Sequence, residues 1–187
     1  MTAYLTKYKP FLLFLGKFLL TYALLTFAYQ MYLNQFDKAH FEVDGFTRSV
    51  AGQTQKVLAF FNADVATEPH PEQASIKLLY QGKFVARIVE GCNALSVIIL
   101  FISFVVAFSG KFRTTVLFIF GGGILVHVLN IGRIAILAAA LHAYPEHEEL
   151  LHGVVFPLFI YGVVFILWVV WVNKFSLYAE KPVEKSA

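Results

Sequence analysis

Four apolar runs, set apart by brief polar punctuation and one long polar insert, give this chain its pattern. The first covers residues 11–33, apolar apart from Lys17 and a few Tyr, Thr and Gln. At ~1.5 Å of rise per residue it crosses a hydrocarbon core of ~30 Å as a helix. A secretory signal peptide is the competing reading. The run is longer than the ~7–15 apolar residues of a signal core, and no small-x-small cleavage site closes it. A retained transmembrane helix is therefore expected, with Lys17 snorkelling toward the nearer interface. The second run is 94–108. The third, 114–143, is interrupted by Gly121-Gly122-Gly123, His127, Asn130 and Arg133. The fourth is 154–172, where Trp168 and Trp171 are expected at interfacial depth.

The insert, 34–90, differs in kind and carries most of the charge. Within it Val50, Val57, Leu58 and Phe61 recur at helical spacing, which predicts an amphipathic helix over 49–62. Thr67-Glu68-Pro69-His70-Pro71 breaks the chain. Residues 76–80 and 84–89 then read as two strands joined by a Gln81-Gly82-Lys83 turn. The fold class that follows is an all-α polytopic membrane protein with about four transmembrane helices. A small extracytoplasmic α+β cap lies between helices one and two. The expected units are 1–33 (N-terminus and first helix), 34–90 (cap), 91–173 (three-helix core) and 174–187 (tail).

Charge orients the bundle. With four spans, Lys7 and Lys9, Lys111 and Arg113, and Lys174, Lys181 and Lys185 all fall on one side. The opposite short loop, 143–151, holds Glu146, Glu148 and Glu149 with no Lys or Arg, so the basic side is expected to be cytoplasmic. Composition agrees: 58% of residues are hydrophobic and only 14% charged, against roughly 25% charged in an ordinary soluble domain. Mean hydropathy is +0.67. A formal net charge of +3, without a basic patch interleaved with aromatics, argues against a nucleic-acid partner.

Candidate chemistry begins at Glu90-Gly91-Cys92-Asn93-Ala94. Cys92 is the single cysteine, so it is either an inert small hydrophobe, the commoner fate of a free cysteine, or a nucleophile. The topology places it at the cap end of helix two. His152 lies at the same end of helix four, and Arg133, ~30 Å above the Lys111–Arg113 turn, reaches the same level. A thiolate can attack a carbonyl, an imidazole can move protons, and a cation can steady the oxyanion. An arginine near the bilayer is costly and tends to be paired or functional, with snorkelling to the headgroups as the alternative. Asn130, one helical turn before Arg133, is placed to orient it. His152 read alone is an interfacial residue opening a helix, and His127 a satisfied histidine in close helix packing beside the glycines. His142, His147 and His152 with the three loop glutamates match no metal-binding helix motif. A transmembrane haem would need a second histidine at the depth of His127. No metal or cofactor is expected, and a dithiol oxidoreductase is excluded by the single cysteine.

Taken together, Glu90-Gly91-Cys92-Asn93-Ala94 ahead of a helix, Asn130-Ile131-Gly132-Arg133 in a later one and His152 opening the last resemble the exosortase/archaeosortase family. The resemblance covers residues 88–172 and is greatest to the compact exosortase F type of Bacteroidetes. It implies a cysteine protease or transpeptidase in the bacterial inner membrane, its active site facing the periplasm. The implied partners are an exported protein ending in a short motif, a transmembrane helix and a basic tail, the membrane lipid, and an envelope acceptor where the product is transferred. Cys92 would be the nucleophile, Arg133 the oxyanion or substrate stabiliser and His152 the general acid/base, with Asn93 and Asn130 binding substrate or supporting. This chain is shorter than many exosortases, which have more spans. Two readings from other classes stand beside it: a non-catalytic membrane assembly or chaperone subunit, and an acyltransferase carrying a lipid acyl chain on Cys92.

Overall fold

A computed structural model describes residues 2–177, with side chains from Tyr8 onward except at Lys38. The expected tail with Lys181 and Lys185 lies outside the described residues, as does the side chain of Lys7. In chain order the elements are α1 (Thr2–Leu33), α2 (Gly45–Phe60), β1 (Val65–Pro69), β2 (Ile76–Tyr80), β3 (Lys83–Ile88), α3 (Leu95–Ala107), α4 (Phe112–Ala143) and α5 (Pro145–Phe175). Among the described residues, three helices are long and apolar enough to cross a membrane: Tyr8–Leu33 within α1, α4 and α5. The run expected as a fourth span is α3, whose 13 residues rise only ~20 Å.

Side-chain contacts fix how α1 and α3 lie. Tyr29 near the end of α1 meets Asn93 at the start of α3, while Lys17 bonds the Ser109 hydroxyl just past its end at 2.7 Å. The two are therefore antiparallel, and Lys17 has a partner in the 109–111 turn where snorkelling was expected. Gly122 of α4 sits against the Phe101 ring of α3, which leaves no room for a Cβ. The expected close packing at the glycines thus falls on one of the three. At the turn end Gly110 lies under Trp171, whose ring would stand 2.7 Å from an added Cβ. Trp171 is fully buried, and Trp168 stacks on Phe104 with centroids 4.2 Å apart. Both indoles pack against α3 and the turn that follows it, where two aromatic side chains and a glycine let α3 and α5 close on each other.

The cap is a three-stranded antiparallel sheet, ordered β1-β2-β3, with α2 beside it. Asp44 caps α2 by accepting the Thr47 N–H at 2.9 Å, so the helix starts four residues ahead of the expected 49. Gln81 and Gly82 both take positive φ, 50° and 71°, as a two-residue hairpin turn requires. The segment read as a break is partly strand: β1 runs through Thr67 and Glu68 to end on Pro69, a residue that edge strands accept at their ends. Val50, Leu78 and Ile88 are essentially inaccessible, and each contributes about 1.5–3 kcal/mol relative to exposure.

One long helix joins cap to bundle. α4 has 32 residues, ~48 Å, and continues without a break through 134–143. Its last turns carry the cap: Ala135 and Ala138 pack with Leu58 and Leu78, Ile134 with Val50 and Ile88, and His142 stacks on Tyr80. His127 lies lower, where its Nε2 donates to Gln53 Oε1 of α2 at 2.8 Å. The polar loop expected over 143–151 is largely helical, since Pro145 opens α5 one residue after Tyr144 ends the chain's only break from helix there.

Candidate active site

Cys92 ends a tight 3₁₀ turn, Glu90–Cys92, at the corner where β3 hands over to α3. Its own N–H donates to the Val89 carbonyl at 2.8 Å. Ala94 then takes a left-handed conformation, φ 66°, at a cost of roughly 1–2 kcal/mol for a residue with a Cβ. The Asn93 side chain holds this corner in place. Its Oδ1 accepts the Leu95 N–H at the start of α3 (2.8 Å), and its amide donates to Tyr29 Oη (3.1 Å) and Thr47 Oγ1 (3.0 Å). One buried amide thereby ties α1, α2 and α3 together, and it supports the site from beneath.

Asn130 does the corresponding work from α4. It is fully buried; its amide donates to the Cys92 carbonyl at 2.8 Å, and its Oδ1 accepts from Arg133 Nη1 at 3.4 Å. The Asn-x-x-Arg spacing puts both residues on one helix face, so a single amide bridges the cysteine backbone and the guanidinium. Arg133 is half-buried. Its Nε has no partner, and among the described residues no carboxylate pairs with it. An unpaired donor of a buried cation is costly to leave unmade.

Cys92, Arg133 and His152 line one cavity of about 120 Å³, together with Arg87, Ile88, Leu137, Leu141 and Glu148. That space holds several water-sized groups. The chain topology thus brings the three candidates around one void. Cys92 is 9% exposed, with its neighbours Val50, Ile88 and Ile134 packed behind it. His152 is on the accessible side, in a widened helical turn, Leu151–Val155. It is not the residue that opens α5, which begins two turns earlier. Among the described residues no hydrogen bond joins the Cys92 sulfur to the His152 ring. Such widened turns recur at functional sites because they rephase a side chain relative to the helix.

Two lining residues escaped the sequence reading. Glu148 stands one turn before His152 and shares its cavity; its i, i+4 relation is visible once 145–152 is known to be helical, and hidden when that stretch is read as a solvated loop. Arg87 is the exposed member of β3's last pair, and strand alternation alone does not say which edge it borders. The cavity also adjoins a larger one of about 410 Å³, with which it shares Ala86, Arg87, Leu141 and Glu148. Among the described residues no three of His, Cys, Asp or Glu gather as a metal-binding group; His147 pairs with Glu146 at 3.3 Å, away from His142. Comparison with protein-family models, curated proteins and solved structures finds no match.

Proposed function

We propose that this chain is a membrane-embedded cysteine protease or transpeptidase of the exosortase type, which cleaves C-terminal sorting signals of exported proteins. The observation that carries the reading is the shared cavity: a thiol, a guanidinium that no carboxylate pairs among the described residues, and an imidazole, from three separate elements, line the same void. In this reading α3 is a short fourth crossing, both termini are cytoplasmic, and the cap faces the periplasm of a bacterial inner membrane. With one bilayer boundary at the 109–111 turn, Cys92 stands ~20–25 Å away, just inside the other boundary of a ~30 Å core. A bond at the start of a substrate's membrane helix would lie at that depth.

The chemistry runs in two halves. The Cys92 thiolate attacks the scissile carbonyl carbon, and the oxyanion that forms accepts hydrogen bonds from Arg133. His152 delivers a proton to the nitrogen as the C–N bond breaks, leaving a thioester on Cys92. Water, or an acceptor amine or hydroxyl, then attacks the thioester while His152 takes its proton; the C–S bond breaks and the thiolate returns. His152 is exposed and on the cavity's open side, so substrate closes the gap between imidazole and sulfur, as catalytic contacts commonly tighten on binding.

The test is Cys92→Ala in cells. Sorting-signal precursors accumulate uncleaved while the variant inserts into the membrane at normal level; undiminished cleavage would overturn the reading. The burial of Cys92 at 9% exposure is the one observation that favours a non-catalytic assembly subunit instead. A membrane-impermeant thiol reagent separates the two: labelling of intact cells that is lost in Cys92→Ala marks an accessible nucleophile.

A further inference from the structure

The two edges of the cap sheet are treated differently. The outer edge of β1 is engaged by α2: Gln55 donates to the Val65 carbonyl at 3.1 Å and accepts from the Thr67 hydroxyl at 2.7 Å. β3 is the other edge. Among the described residues, no backbone hydrogen bond outside its ladder with β2 engages 83–88. Edge groups of this kind are normally covered, charged or twisted away, because they accept any extended chain. Beside β3 lies the larger cavity, walled by Phe84–Arg87 on one side and by Leu141, Pro145 and Glu148 on the other. It shares Ala86, Arg87, Leu141 and Glu148 with the cavity that Cys92 lines, and four residues after β3 ends the chain reaches Cys92 itself.

We propose that β3 is the docking edge for the substrate's recognition segment, which binds as a fourth strand and is led by the ladder to the thiol. This rests on the peptidase reading and adds the mode and polarity of recognition. The occupant is an extended peptide stretch immediately preceding an apolar helix. Main-chain bonds to the edge would supply affinity, and alternate side chains in the larger cavity would supply selectivity. Phe84, 57% exposed, offers an apolar contact at the far end; Arg87 and Glu148 offer a charge of each sign near the thiol.

Polarity follows from the fold. Tyr80, paired with Lys83, stacks on His142 high on α4, whereas Ile88 packs with Ile134 and Cys92 lower down. β3 therefore runs from the far end of the cap toward the bundle. A substrate whose membrane helix follows its recognition segment runs the same way. The added strand is parallel to β3.

The test places the photo-crosslinker p-benzoylphenylalanine at Phe84 or at Arg87 in the full chain carrying Cys92→Ala, in cells of its native host. Crosslinked peptides are sequenced by mass spectrometry, with the same probe at Glu68 of β1 as control. The expected result is that both β3 positions capture the same protein just ahead of an apolar helix. The Arg87 crosslink falls about two to three residues nearer that helix, as parallel pairing along a strand bulged at Val85 requires, and Glu68 captures nothing of the kind. Crosslinks in the reverse order, to lipid alone, or absent while uncleaved precursor accumulates would overturn the docking edge and leave the peptidase reading standing. Crosslinks in the expected order without precursor accumulation would do the opposite.

Discussion

The two ends of α3 are built on opposite plans. At the turn end, Gly110 lies against the Trp171 ring, Trp168 stacks on Phe104 and Trp171 is wholly buried; aromatic packing dominates. At the cap end, a left-handed alanine and two buried asparagines hold the corner behind a void that Cys92 and the half-buried Arg133 line. Each end leaves buried N–H groups without partners, but they differ in kind. The indole N–H groups of Trp168 and Trp171 are neutral and lie among apolar and aromatic side chains. The Nε of Arg133 belongs to a cation beside an open space. The contrast teaches where to look for chemistry in an apolar bundle. Both ends carry a left-handed residue, Ser109 and Ala94, and both border a cavity, but the one beside Phe104 and Trp168 is lined almost wholly by apolar side chains, whereas a thiol and a cation line the other.

The largest separation between the ends should come from Arg133→Lys. It keeps the charge but loses the planar fork, and turnover of a sorting-signal substrate should fall by about 10²–10³-fold, the usual effect of removing an oxyanion donor, with thermal stability in detergent nearly unchanged. Near-normal turnover would show that no oriented guanidinium is needed. Asn130→Ala should move both readouts. It strips the Cys92 carbonyl and Arg133 of their shared partner, so stability should drop by ~1–3 kcal/mol and turnover should fall as well, measured by thermal unfolding and by precursor cleavage. Gly110→Ala should act only on the turn end: a Cβ there meets the Trp171 ring, overpacking that costs ~1–3 kcal/mol, while the rate of Cys92 alkylation stays as in the parent. Loss of thiol reactivity in that variant would mean the two ends are coupled through α3. The smallest change is Ala94→Gly. It relieves the left-handed strain at Ala94 and removes one buried methyl, terms of similar size and opposite sign, so the unfolding midpoint should stay within ~1 kcal/mol of the parent.

Much of this contrast is readable in one dimension, and the unreadable part has identifiable causes. The apolar runs, the 76–80 and 84–89 strands and the turn between them follow from periodicity and turn chemistry, because these are properties of neighbours in sequence. The thiol, the arginine and the histidine stand out by rarity in apolar surroundings. The strand through Thr67 and Glu68 stayed hidden because Pro69 and Pro71 dominate local propensity, while pairing with β2 is what makes those residues extended. The burial of Trp171 stayed hidden for a similar reason: it depends on which partner segment offers a glycine, and Gly110 is sixty-odd residues away in sequence.

By itself the sequence determined the apolar spans, the cap between the first two of them, and a single Cys92-Asn93 corner at the head of a helix, since each depends on local pattern and on the rise of a helix. Only the tertiary structure decided that α4 runs on past the bundle to carry the cap, and that α3 is shorter than a hydrocarbon core. It also decided that Asn130 ties the Cys92 carbonyl to Arg133, that Glu148 and Arg87 border the same void, and that β3 is an edge of the sheet. The reason is physical. Those facts depend on which buried polar groups find each other once α1, α2 and α4 close around the corner, and a hydrogen bond such as Asn130 to Cys92, spanning 38 positions of chain, leaves no mark on the residues between them.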